Sequence, residues 1–167
     1  MAVVSQEDLI LQRHAWKRNG LRVVCAAGAF DLLHPGHVRL LEQARAMGDR
    51  LIVLVYGDPA IREVCERAKP GSSAGRPINP SDERAEVVAD LVAVDAAAIG
   101  EGDLAASLAA LEPDVYAFSG VADVDFPPPA SFAGDRSWTN NAKLMKIPIE
   151  PGYSTALLIE KIQQPHA

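Results

Sequence analysis

Apolar residues gather in five short, almost unbroken runs, and amphipathic stretches with polar punctuation separate them. The runs cover residues 21–27, 51–56, 92–99, 115–118 and 143–149, and each predicts a strand. Residues 21–27 read Leu-Arg-Val-Val-Cys-Ala-Ala, a pattern that suits a central parallel strand covered on both faces. Helices are expected over residues 5–18, 37–47, 60–67, 80–91 and 102–111, with a last one, capped by Ser154 or Thr155, running to residue 163. Their ends are marked. Ser5 caps the first, Glu7 and Asp8 open it, Arg13, Lys17 and Arg18 sit late, and Asn19-Gly20 ends it. Gly48 terminates the second. Asn79 as N-cap and Pro80 at the first helical position open the helix to residue 91. Strand and helix alternate, which predicts an α/β, doubly wound, Rossmann-like five-stranded parallel sheet with helices on both faces. One domain over residues 1–167 accommodates it.

Composition narrows the function without naming it. A formal net charge of −6 argues against general nucleic-acid or anionic-membrane binding and leaves room for one small basic pocket. The two cysteines, Cys25 and Cys65, have no metal-type spacing, which suits a reducing compartment. Residues 1–6 are too short and polar for a signal peptide, and no apolar run reaches membrane-spanning length, so a cytoplasmic protein is expected. Neither GxxxxGK[ST] nor GxGxxG is present.

The chemistry concentrates after the first strand, in Gly28-Ala29-Phe30-Asp31-Leu32-Leu33-His34-Pro35-Gly36-His37. A strand, a glycine-bearing turn and a helix start bring free backbone N–H groups and a positive helix end together, and two histidines add donors. This reads as a nucleotide-phosphate site. Asp31 is balanced between stabilising the turn and contacting a ligand, and Tyr56 and Phe118 read as packing. Gly152 to Thr155 is a second phosphate-type turn. Lys69 and Arg76 flank a loop with two glycines and two serines. Residues 120–141 read as a long loop of the kind that forms functional lids, and its Trp138 either closes over a ligand or anchors the loop.

Gly28-Ala29-Phe30-Asp31 followed by His34-Pro35-Gly36-His37 resembles the cytidylyltransferase-like nucleotidyltransferase superfamily, marked by Gly-x-Phe-Asp and His-x-Gly-His. Within it the chain is most similar to the adenylyltransferases of D-glycero-β-D-manno-heptose 1-phosphate. Residues 44–53, 75–80 with 83–85, and 152–155 carry that similarity, which spans residues 21–162. The resemblance implies in-line attack of a sugar phosphate on the nucleotide α-phosphorus, with pyrophosphate leaving. His34, His37 and Lys69 would be catalytic. Gly28, Ala29, Phe30, Asp31, Gly36, Tyr153, Ser154 and Thr155 would bind the nucleotide, and Arg76 the substrate phosphate. ATP or another nucleoside triphosphate is the implied substrate, magnesium the implied cofactor, with few protein ligands, and a homodimer is compatible with the family. The sequence departs from the heptose pattern where Phe118-Ser119-Gly120-Val121 replaces Lys-Gly-Gly-Asp, with Asp123 or Asp125 the nearest acids, and at Tyr56-Gly57-Asp58. A non-catalytic nucleotide-binding homologue and a cytidylyltransferase for a polyol or amino-alcohol phosphate are the alternatives.

Overall fold

The computed structural model describes residues 3–68, 70–100, 102, 104–119, 142–148 and 151–164. The apolar runs become β1 (Val23–Gly28), β2 (Arg50–Tyr56), β3 (Ala96–Gly100), β4 (Val115–Ser119) and β5 (Lys143–Ile147). The helices are α1 (Gln6–Arg18), α2 (Pro35–Arg45), α3 (Asp58–Ala68), α4 (Ser81–Ala89), α5 (Leu104–Leu111) and α6 (Thr155–Gln163). All strand pairs are parallel, in the order β3-β2-β1-β4-β5. Every residue of β1 is buried, as its unalternating apolar run predicts.

Alternation along the strands divides the core into two layers. Val24, Ala26, Val53 and Val55 pack with Leu40, Leu41 and Ala44 of α2 and with Ala85 and Val88 of α4. Val23, Cys25, Ile52 and Leu54 pack with Leu9 of α1, Ile61 of α3 and Leu108 of α5. Each fully buried Leu or Ile contributes about 1.5–3 kcal/mol. Burial also pushes the Cys25 thiol and the Tyr56 and Tyr116 phenols up, so all three stay protonated core groups. No helix among the described residues is long and apolar enough to cross a membrane.

Three aspartates set where the strands begin. Asp114 accepts from Val23 N at 2.7 Å, Asp95 from Leu51 N at 2.8 Å and Asp49 from Arg22 N at 2.8 Å. Asp95 also pairs with Arg45 at 3.0 Å and Arg50 at 3.5 Å. β3 therefore starts at Ala96 rather than residue 92, and Val92 stands fully exposed in the preceding turn. α2 begins at Pro35 rather than residue 37, because His34 is its N-cap. α4 begins at Ser81 with Pro80 as N-cap, without a side-chain cap. Asn79, expected to cap it, instead donates its Nδ2 to Asp31 O at 3.0 Å.

The carboxyl end of the sheet is held by Arg84, whose side chain is fully buried. Its guanidinium donates to Ala29 O after β1, to Tyr56 O of β2 at 2.7 Å, to Asp58 Oδ1 of α3 at 2.7 Å and to Asn79 O before α4 at 2.9 Å. One planar cation thus fixes four chain segments around the turn that carries the histidines. At the other end, Gly48 lies under β1: a Cβ there would stand 2.8 Å from both Arg22 O and Val24 Cγ2.

Arg84→Met keeps the bulk but leaves Asp58 and three carbonyls without their donor, and is expected to cost about 3–5 kcal/mol in urea unfolding. A variant as stable as the parent would contradict this bracing role. Gly48→Ala is expected to cost about 1–3 kcal/mol, and a change under about 0.5 kcal/mol would mean that the backbone yields at no cost.

Candidate functional site

The turn from β1 into α2 is pinned before it reaches the histidines. Phe30 holds a left-handed φ of +50°, unusual for a bulky residue. Its buried ring lies 5.5 Å from that of His37. Asp31 is buried, and its carboxylate accepts from Arg76 Nε at 2.7 Å, Ile78 N at 2.8 Å and Asn79 N at 3.0 Å. The carboxylate of Asp31 is thereby filled by donors of the 76–79 loop, and Arg76 is spent in part on Asp31. The second terminal nitrogen of Arg76, Nη2, is buried with no hydrogen-bond partner among the described residues.

His34 and His37 cap α2 reciprocally. His37 N donates to His34 Nδ1 at 3.4 Å and His34 N donates to His37 Nδ1 at 3.3 Å. With both Nδ1 atoms acting as acceptors, the neutral rings carry their protons on Nε2. The rings stack at 3.7 Å between centroids, tilted by 15°. The cap and the stack together aim two N–H donors from one helix N-terminus.

Gly36 lets the second turn close on the first. A Cβ on Gly36 would lie 3.1 Å from His34 Cε1, His34 Nδ1 and Tyr153 Cβ. Tyr153 stacks on His34 with centroids 6.2 Å apart, and the Arg39 guanidinium lies 5.5 Å over the Tyr153 ring. Ser154 follows as the N-cap of α6 and accepts from Leu157 N at 3.1 Å, and Thr155 is buried. Residues 28–37 and 152–155, far apart in sequence, thus meet at two helix N-termini. Neither α2 nor α6 has an acid in its first turn, whereas α1, α3 and α4 each do. Two positive helix ends with no acid in their first turns and two imidazole donors suit a polyanion.

Other residues fall elsewhere. Phe118 stacks on Tyr116 at 6.3 Å, on the layer away from α2. Ser119 ends β4, buried, its Oγ without a hydrogen-bond partner among the described residues. Beyond β2 and β3 a cavity of about 610 Å³ is lined by Gly57, Asp58, Arg62, Ser81 and Gly100 among others. Lys69, Gly120, Val121, Asp123, Asp125 and Trp138 lie outside the described residues. Among the described residues no three His, Cys, Asp or Glu side chains are grouped to hold a metal ion, and Asp31 is already filled by N–H donors. Sequence reasoning gave Arg84 no role of its own. Its early signs were its place within residues 83–85, which carry the family similarity, and an arginine on the otherwise apolar side of α4.

The model of the Cytidylyltransferase-like family matches residues 25–161. The "Bifunctional protein HldE" of Koribacter versatilis is 40% identical over 166 residues, covering 95% of this chain and 31% of that protein. The protein of the same name from Escherichia coli is 36% identical over 163 residues, covering 97% and 32%. The chain thus spans about a third of the length of these curated relatives. The crystal structure of a lipopolysaccharide core biosynthesis protein from Thermoplasma volcanium superposes with a TM-score of 0.58 at 27% identity, covering 78% of this chain and 98% of that one. With the His-x-Gly-His cap, the all-parallel sheet and these likenesses in agreement, the chain belongs to the cytidylyltransferase-like family of nucleotidyltransferases.

Proposed function

We propose that this domain transfers AMP from ATP to a phosphorylated sugar, with heptose 1-phosphate as the leading acceptor, and releases pyrophosphate. The observation that carries the reading is the reciprocal His34–His37 cap, which holds two Nε2–H donors beside the N-terminus of α6. A phosphate oxygen of the acceptor attacks the α-phosphorus, a new P–O bond forms, and the bond to the bridging oxygen breaks with its electron pair leaving on pyrophosphate. Charge grows on the oxygens around the α- and β-phosphorus, where donors fixed in advance stabilise the transition state more than the ground state. His34 and His37 supply those donors. The start of α6, with Ser154 and Thr155, cradles the β- and γ-phosphates. The backbone of Gly28 to Asp31 lines the nucleotide, Gly36 keeps the two turns in contact, and Tyr153 backs His34. Arg76 Nη2, with Lys69, meets the acceptor phosphate, and the cavity beyond β2 and β3 gives the sugar room. Magnesium would arrive on triphosphate oxygens and water and supply charge neutralisation there. ATP and sugar phosphates are metabolites of the cytoplasm, which is where this reading puts the protein.

A second reading, nucleotide binding without transfer, draws support from Phe118. Its ring packs on Tyr116 at the place where the heptose pattern carries a lysine.

A pyrophosphate-release assay with ATP or CTP, heptose 1-phosphate and magnesium tests the first reading. Release with ATP supports it. Nucleotide binding by calorimetry with no release from any sugar phosphate supports the second. His37→Ala is expected to lower kcat about 100-fold or more, the usual cost of losing one transition-state donor, and a variant within about 3-fold of the parent would remove His37 from the mechanism. Gly36→Ala pushes Tyr153 from His34 and is expected to lower kcat/KM about 10-fold or more with the fold retained by circular dichroism. Unchanged kcat/KM would mean that the contact between the two turns is incidental.

A further inference from the structure

Ser119 occupies the point where the sheet changes direction. β1 pairs β2 on one side and β4 on the other, so strand order reverses between β1 and β4. Ligands of open α/β sheets bind beyond the carboxyl ends of the strands at this point. Ala26 of β1 pairs with Ala117 of β4. Two residues further along each strand, Gly28 and Ser119 therefore end β1 and β4 side by side. On its other side Ser119 pairs with Ile147.

Strand alternation puts Ser119 on the face of Val115 and Ala117, which pack in the layer shared with Phe30 and α2. Tyr116 and Phe118 belong to the opposite layer. The Ser119 hydroxyl thus lies on the histidine side of the sheet. It is 1% exposed, and among the described residues its Oγ has no hydrogen-bond partner. Buried hydroxyls in folded proteins are normally paired, and an unpaired one opposes folding. Alanine fits the same face two residues earlier, so packing alone does not call for a hydroxyl.

We propose that Ser119 Oγ is a nucleotide-binding group, which donates a hydrogen bond to an oxygen of the ribose 5′-phosphate portion of a nucleoside triphosphate lying across the ends of β1 and β4. The inference rests on the nucleotidyltransferase reading above and adds a residue to it. The triphosphate tail runs to the N-termini of α2 and α6, which leaves the sugar end over Gly28 and Ser119. The hydroxyl, unpaired among the described residues, gains its partner when the nucleotide binds.

Ser119→Ala separates this role from a structural one, because the two move stability in opposite directions. Wild type and variant are compared by thermal unfolding without nucleotide, and by calorimetric titration with ATP and with CTP in magnesium buffer. The variant is expected to unfold at the same or a higher temperature than wild type and to bind the nucleotide about 5- to 10-fold more weakly. Lower stability without nucleotide, or binding equal to wild type, overturns the proposal while wild-type binding leaves the nucleotidyltransferase reading intact. A wild type that binds neither ATP nor CTP overturns that reading and this inference with it.

Discussion

Strands that end at an open sheet edge leave carbonyl groups without ladder partners, and in this protein one buried guanidinium collects them. Arg84 ties Ala29 O, Tyr56 O and Asn79 O to the Asp58 carboxylate. Asp31 does the converse a few residues away, where one buried carboxylate collects Ile78 N, Asn79 N and Arg76 Nε. A cation gathers acceptors and an anion gathers donors, so neither charge is buried unpaired. Their common product is a β1–α2 turn that cannot shift. The value of such a scaffold lies less in net stability than in placement, since buried ion pairs are costly to desolvate and severe to break.

On that scaffold the site is assembled from contacts that each limit the next. The two histidines hold one another through their backbone N–H groups, which determines which nitrogen carries the proton. Gly36 admits Tyr153, which stacks on His34 and lies beneath Arg39. Two helix N-termini without acids converge in a chain whose overall charge is −6.

Much of this fold was legible in the sequence because its signals are local. Unbroken apolar runs marked the strands, and Ser5 and Ser154 cap helices as their positions suggest. The misplaced starts of α4 and β3 have one cause. Asn79 has the chemistry of an N-cap, but its side chain bonds Asp31 O, a tertiary partner 48 residues away. Asp95 stops the third strand from starting early by bonding Leu51 N, 44 residues away. The histidine pair was legible because its partners are three residues apart. Arg84 and the Asp31–Arg76 pair were not, because their meaning depends mainly on partners 26 to 55 residues distant. Of the departure from the heptose pattern at residues 118–121, Phe118 and Ser119 are described, and residues 120–141 lie outside the described residues.

The central claim is that a capped histidine pair presents two Nε2–H donors to a nucleoside triphosphate. The chain has four histidines, so their ring nitrogens can be followed individually by nitrogen-15 NMR. The expected spectrum shows His34 and His37 as Nε2–H tautomers in the free protein, and addition of ATP with magnesium moves both Nε2 signals while His14 stays in place. Nδ1–H tautomers at His34 and His37, or Nε2 signals indifferent to the nucleotide, would contradict the account.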